Sequence, residues 1–435
     1  MRNKQSEAVS AQAQRTVPAI EPAPQKIAMP EPQPRTKKRR VSLLILGLVI
    51  IAAFAGYWIL HAKQAKAPNA TGKAVESSSS TAAASQPTKI RLIASGDELP
   101  HDSVNANAST GTTYDYKPFF SEVKTFFDRA DIRFCNQEVP SASPAAGGVS
   151  GYPTFNAPTE FARDINAVGC NVINTATNHT NDKHQAGIDA TQAAWDKLTK
   201  LAVAGGNRSP EEQQKVRYFT VKGVKFAFLA YNYYNNDTNV TSYGVNMFDE
   251  ALITKQLAEA QQNGAYTLVS MHWGTEYSPG IDAEQIQWSQ FLADHGANIV
   301  LGTGPHVLEP VKKLPRAGGG DTLVWYSLGN MLNTQLDIES LIGGFAVMDF
   351  NVSGGKATLD KFEFMPTYMH YEWTAEQKAK EDLLARKNLK LYPLDKAAAP
   401  LARSQNNTTV EVQTKRITEV LNTYITVPVI TSSQY

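Results

Sequence analysis

Several things are scarce in this chain. Forty-two basic residues face 41 acidic ones, a formal net charge of +1, so the basic excess of a nucleic-acid binder is missing. No glycine-rich phosphate loop of the Walker type occurs, which argues against a cytoplasmic nucleotide enzyme. No internal repeat is evident. Cysteine is limited to Cys135 and Cys170. Two cysteines in an exported domain invite a disulfide. However, Cys135 closes one apolar run (DIRFC) and Cys170 opens another (CNVINTA). If these are parallel neighbouring strands the sulfurs lie at opposite ends, so two buried free thiols are expected.

Charge is also missing from one long segment. VSLLILGLVIIAAFAGYWIL, residues 41–60, carries no charged residue. A helix of that length, rising about 1.5 Å per residue, spans a hydrocarbon core of roughly 30 Å. Arg35, Lys37, Lys38, Arg39 and Arg40 precede it, and only Lys63 and Lys66 follow closely. This asymmetry predicts a single-pass plasma-membrane helix in the lipid bilayer, with the N-terminus cytoplasmic and the main domain extracellular. The other reading is a cleaved signal peptide, for which Ala65-Lys66-Ala67 is a weak site, but a forty-residue charged leader argues against it. Proline-rich residues 1–40 read as a disordered cytoplasmic tail, and residues 61–88 as a flexible extracellular linker.

From residue 89 short apolar runs alternate with amphipathic stretches. The pattern predicts strands at 90–95, 131–135, 171–176, 266–271 and 298–301. Helices are predicted near 117–129, 158–168, 184–200, 247–263 and 282–295. RYFTVKGVKFAFLAYN reads as an antiparallel hairpin turning at Lys222-Gly223. The alternation marks βαβ units with parallel sheet. An α/β domain with two sheets and helices on the outer faces accommodates this order over 89–370. Residues 371–435 are expected to form a small helical appendage.

The polar residues fall where such a fold binds ligands, beyond the carboxyl ends of its strands. Asp97 follows the first strand, and Asn136 and Glu138 the second. Asn178 and His179 follow the third, His272 and then Glu276 follow strand 266–271, and His306 follows strand 298–301. Each alone reads as a turn residue, helix cap or core histidine. Gathered at one sheet edge, carboxylate, amide oxygen and imidazole make a ligand set for one or two divalent transition ions, with Glu138 as a bridge. His179 is then placed as a general acid facing a leaving group, and Glu276 as a base or as the group that orients His272. Manganese, iron, zinc and cobalt all accept this mixture of ligands.

The blocks SGDELPHDSV, FCNQEVP, NTATNHTNDKHQAG, AVAGGN, VSMHWGTEYS, GTGPHVLEPV and YSLGNM resemble, in order, those of the CapA/PgsA capsule-synthesis family. That family is similar to calcineurin-like metallophosphoesterases. The resemblance covers roughly residues 90–365. It implies a two-sheet α/β/β/α metallophosphoesterase-like domain, anchored in the membrane, that makes or attaches poly-γ-glutamate or a related surface polymer. Residue by residue it assigns Asp97, Glu138, Asn178, His272 and His306 to metal binding and His179 to catalysis. The implied partners are polymer synthase subunits and an anionic polymer or phosphoester substrate, with no nucleic acid.

One departure matters. Where the family commonly has G-H-x-P-H, this chain has Gly302-Thr303-Gly304-Pro305-His306, so one loop histidine is lost. His101 is a spare candidate ligand, and Thr303 offers only a weak hydroxyl. Two functions remain open: a metal-dependent hydrolase or transferase at the cell surface, or a non-enzymatic scaffold beside a membrane synthase that keeps a degenerate metal site.

Overall fold

A computed structural model describes residues 88–435. The expected tail, membrane helix and most of the linker lie outside the described residues. Among the described residues no helix is long and apolar enough to cross a membrane.

The strands, in chain order, are β1 (Thr88–Glu98), β2 (Ile132–Gln137), β3 (Ser141–Ser143), β4 (Ala157–Pro158), β5 (Val172–Asn174), β6 (Ala202–Ala204), β7 (Arg217–Val221) and β8 (Val224–Asn232). There follow β9 (Tyr266–His272), β10 (Ile299–Thr303), β11 (Val311–Pro315), β12 (Asp321–Trp325), β13 (Asn330–Leu332), β14 (Ile342–Ser353), β15 (Lys356–Glu372) and β16 (Lys387–Pro393). They form a mixed α/β structure. An eight-stranded sheet runs β16-β15-β14-β1-β2-β5-β6, with β13 paired to β1, and a six-stranded sheet runs β11-β12-β10-β9-β8-β7. β3 and β4 make a small third sheet.

Period-2 alternation decides what each face of the second sheet touches. Phe226, Phe228 and Ala230 of β8 join the core shared with the first sheet, and Phe228 meets Phe134 of β2 with ring centroids 6.0 Å apart. Ala227, Leu229 and Tyr231 face the other way, onto Ile253 and Leu257 of helix Glu250–Gln262 and Leu292 of helix Ala283–Asp294. On the first sheet Trp195 of helix His184–Asp196 donates to Gln137 Oε1 at 2.7 Å, tying that helix to β2.

Local chemistry sets the boundaries. Asp249 and Asp282 cap the helices that follow them, Asp282 in a reciprocal capping box with Gln285. Lys222 and Gly223 both take positive φ, 46° and 81°, as the tight turn between the antiparallel strands β7 and β8 requires. The helix expected over 117–129 is instead a 3₁₀ turn, Lys117–Phe120, and a short helix, Lys124–Asp128. Phe119, Phe120, Val123, Phe126 and Phe127 are all buried across that break. Residues 371–435 are not helical alone, because β16 pairs with β15 and extends the large sheet.

The cysteine expectation is overturned. Cys135 and Cys170 form a disulfide with Cα atoms 5.8 Å apart. Cys170 is not a rung of the ladder: β5 begins at Val172, opposite Phe134. The chain reaches it through Gly169 (φ 149°), and the Cys170 N–H bonds to Ile165 O, so strand register does not position its sulfur. Closing a loop with a sequence separation of 35 restricts the unfolded chain. Replacing both cysteines by serine is expected to lower the unfolding free energy by roughly 2–4 kcal/mol in urea titrations. Free thiols detected in the denatured, unreduced protein would contradict the pairing.

Candidate metal centre

The carboxyl ends of β1, β2 and β5 in one sheet, and of β8, β9 and β10 in the other, converge on one edge of the molecule. β1 reaches it through a register shift between Ala94 and Asp97. There Gly96 is needed, since a Cβ would lie 1.7 Å from Gly329 O, the atom that accepts the Asp97 N–H at 2.9 Å.

Asp97, Glu138 and His306 meet, each buried, with one potential ligand atom apiece all within 4.8 Å of one another. Asn136 Nδ2 donates to Asp97 Oδ1 at 2.7 Å, and the Gly304 N–H to Oδ2 at 3.2 Å. His306 Nδ1 lies 3.2 Å from Asp97 Oδ2 and 3.0 Å from Asn330 Oδ1, while its Nε2 lies 3.7 Å from Glu138 Oε1. Two backbone features aim this loop. His306 itself has φ 60°, an uncommon conformation for a side-chain-bearing residue. A Cβ on Gly304 (φ 111°) would lie 2.6 Å from Trp273 O.

Among the described residues neither carboxylate oxygen of Glu138 has a hydrogen-bond partner, although the residue is 1% exposed. A buried charge without partners is costly, and an orphaned acceptor pair beside a second carboxylate and an imidazole suits a divalent cation. The residues therefore fit such an ion.

A second group sits alongside. His272 Nε2 lies 3.0 Å from Asn178 Oδ1, and its Nδ1 lies 3.0 Å from Thr303 Oγ1. Glu276 was expected to orient His272, but Thr303 occupies that place. Glu276 Oε1 instead accepts the Tyr234 hydroxyl at 2.9 Å. His101 stands apart from the Asp97 group: its ring packs edge-on against Phe155, with centroids 5.6 Å apart.

These groups open on a cleft of about 560 Å³ whose walls include His101, Phe155, His179, Asn236, Glu276, Tyr277 and His306. His179 Nδ1 lies 2.7 Å from Asp182 Oδ2, which also accepts the Phe155 N–H, and Asn236 Nδ2 approaches Nε2 at 3.2 Å. Asp182, Tyr234, Asn236 and Asn330 were missed in the sequence. The first three lie on loops after β5 and β8, where the run YNYYNND at the end of β8 was a readable signal obscured by the hairpin interpretation.

Burial and charge set the proton inventory. Burial pulls the His306 imidazole down, but the charge of Glu138 and the hydrogen bond and charge of Asp97 outweigh it, raising the pKa to about 10. Burial pushes the Glu138 carboxyl well above its usual range, against the opposing pull of His306. For Asp97 burial acts upward, yet the His306 hydrogen bond and charge hold the net value below the usual one. Burial takes His272 down to about 3.

A folded-state pKa raised above 6.5 means His306 contributes stability that is fully present below pH 6.5 and lost as pH rises towards 10. Urea unfolding of chelator-treated protein is expected to show stability falling across that window. The His306→Gln variant should flatten the slope, and an equal slope in both chains would refute the assignment.

Comparison with known proteins bears on this site. The family model described as "Bacterial capsule synthesis protein PGA_cap" matches residues 91–335, a span that contains Asp97, Glu138, Asn178, His179, His272 and His306. The chain is 28% identical over 179 residues to the PGA biosynthesis protein CapA of Bacillus subtilis (strain 168), across 40% of this chain and 46% of that protein. It is 26% identical over 192 residues to the capsule biosynthesis protein CapA of Bacillus anthracis, across 42% of this chain and 44% of that one. The chain thus matches less than half the length of either relative.

Proposed function

The chain belongs to the bacterial capsule synthesis protein PGA_cap family, and from that premise we propose that it is a metal-dependent hydrolase or transferase acting on a surface polymer. The polymer would be of the poly-γ-glutamate class, and the step its synthesis or its attachment. The chain would work at the outer face of the plasma membrane, beside a polymer synthase. The uncharged segment 41–60, with basic residues before it, supports the anchor. Two sheets packed face to face, with helices on the outer face of the second, support the reading as a metallophosphoesterase-like α/β/β/α domain.

The observation that carries the proposal is the pair of unpartnered, buried Glu138 oxygens beside Asp97 and His306. Asp97, Glu138 and His306 would hold a divalent ion, with His272 and Asn178 contributing from the second sheet and the loop after β5. Such an ion acidifies bound water and stabilises negative charge on a phosphoryl-like or acyl transition state.

The chain's own groups supply the rest. Asp182 holds His179 by Nδ1, which leaves Nε2 towards the cleft as the atom that gives or takes a proton. Glu276 anchors the Tyr234 hydroxyl, which in turn lies 3.4 Å from Asn178 Nδ2, so the amide oxygen is turned towards His272. Phe155 packs edge-on against the His179 ring, with centroids 4.6 Å apart.

Metal analysis of the purified full-length chain is expected to find a divalent transition ion in the wild type and little in Asp97→Asn. His179→Gln should keep the ion and lose on the order of 100-fold or more of turnover on phosphoester or γ-glutamyl substrates. Undiminished polymer output from cells carrying either variant would defeat the enzymatic reading and favour a scaffold.

A further inference from the structure

We propose that Thr303 is a positioning residue for His272: its hydroxyl serves either tautomer of the ring, so that Nε2 can face Asn178 as a donor or a divalent cation as a bare ligand. This rests on the metal reading above and adds to it a role for the one position that departs from the expected loop pattern.

The placement follows from strand register. β9 and β10 are parallel neighbours in which Thr303 pairs with His272. Both residues continue the inward series of their strands, after Leu268 in β9 and after Ile299 and Leu301 in β10. Their side chains therefore stand side by side, 0% and 1% exposed, with Oγ1 and Nδ1 3.0 Å apart. His272 is the one side-chain partner of the Thr303 hydroxyl among the described residues, so the hydroxyl is committed to the ring.

At the other end of the ring, Nε2 faces Asn178 Oδ1 at 3.0 Å. An amide oxygen only accepts, so in the cation-free chain Nε2 carries the proton and Nδ1 accepts from the threonine. A ring that binds a cation through Nε2 must move its proton to Nδ1. A threonine hydroxyl both donates and accepts, so it meets Nδ1 in either state. Valine, nearly the same shape, meets neither. It would leave Nδ1 unpaired in both forms, but a cation on Nε2 makes Nδ1–H a charge-assisted and stronger donor, so the loss is larger in the form that binds the ion.

The test uses full-length, detergent-solubilised protein with ¹⁵N-labelled histidine, stripped with chelator and titrated with Zn²⁺. Long-range ¹H–¹⁵N correlations should report His272 with its proton on Nε2 before zinc and on Nδ1 after it. Thr303→Val should weaken zinc binding about 10-fold or more, in line with the loss of a group that orients a metal-ligating histidine. Thr303→Ser, which keeps the hydroxyl and loses the methyl, should restore it. Weakening by serine as much as by valine would mean packing and overturn the inference. So would zinc that binds wild type, is lost in Asp97→Asn and is indifferent to Thr303→Val, an outcome that leaves the metal reading standing. Zinc bound by none of the chains would overturn both.

Discussion

Two carboxylates buried against one imidazole set the terms for the rest of this molecule. Asp97 and Glu138 are 0% and 1% exposed, and His306 stands between them at 3%. Placing like charges together in a low-dielectric interior costs several kcal/mol per ion unless partners are supplied. The chain supplies them unevenly. Asp97 accepts from Asn136, from the Gly304 backbone and from His306, whereas Glu138 has only the distant approach of His306 Nε2. A site built solely for stability would satisfy both carboxylates or replace them with apolar side chains. The leftover acceptors on Glu138 are the atoms that the proposed cation would use.

Holding that cluster explains several otherwise unrelated features. The register shift in β1 turns Asp97 towards β13, whose Asn330 reaches His306, and Gly96 lets the Gly329 carbonyl come close enough to fix the turn. The positive φ of His306 and the bare Cα of Gly304 bring the loop after β10 back over the first sheet. The two sheets share a core of aromatic contacts such as Phe134–Phe228 and Phe226–Phe350. That core supplies the burial energy against which the strained, charged edge is maintained.

Much of this was legible in the sequence because the signals were periodic or positional. Alternating apolar runs placed β1, β2, β5, β9 and β10, and the strand-end rule singled out Asp97, Glu138, Asn178, His272 and His306, which the structure gathers at one edge in two adjoining groups. Side-chain partnerships were not legible. Glu276 lies four residues after His272, yet Gly274 (φ 84°) and Tyr277 (φ 62°) turn that loop so that Glu276 meets Tyr234. Thr303 looked like a loss when judged by residue type. Strand register, which no local pattern displays, sets it beside the His272 ring. The disulfide failed for the same reason, because Cys170 lies before its strand and not in it.

The cleft's charge bears on how an anionic polymer would be held in the proposed role. No lysine or arginine occurs among its described lining residues, which instead include Asp182, Asp237 and Glu276. Such walls do not grip a polyanion along its length, since acidic side chains repel it and no guanidinium or ammonium offsets them. Positive charge at the deep end comes from the His306 imidazole and from the proposed ion. An anionic or carbonyl oxygen would thus be drawn to a single point, with the exposed rings of Tyr152 and Tyr277 offering contact without charge at the mouth. In the proposed role that arrangement would favour reaction at one linkage or chain end over processive binding along a polymer, and would make the proposed ion, not the protein's own cations, the centre of recognition.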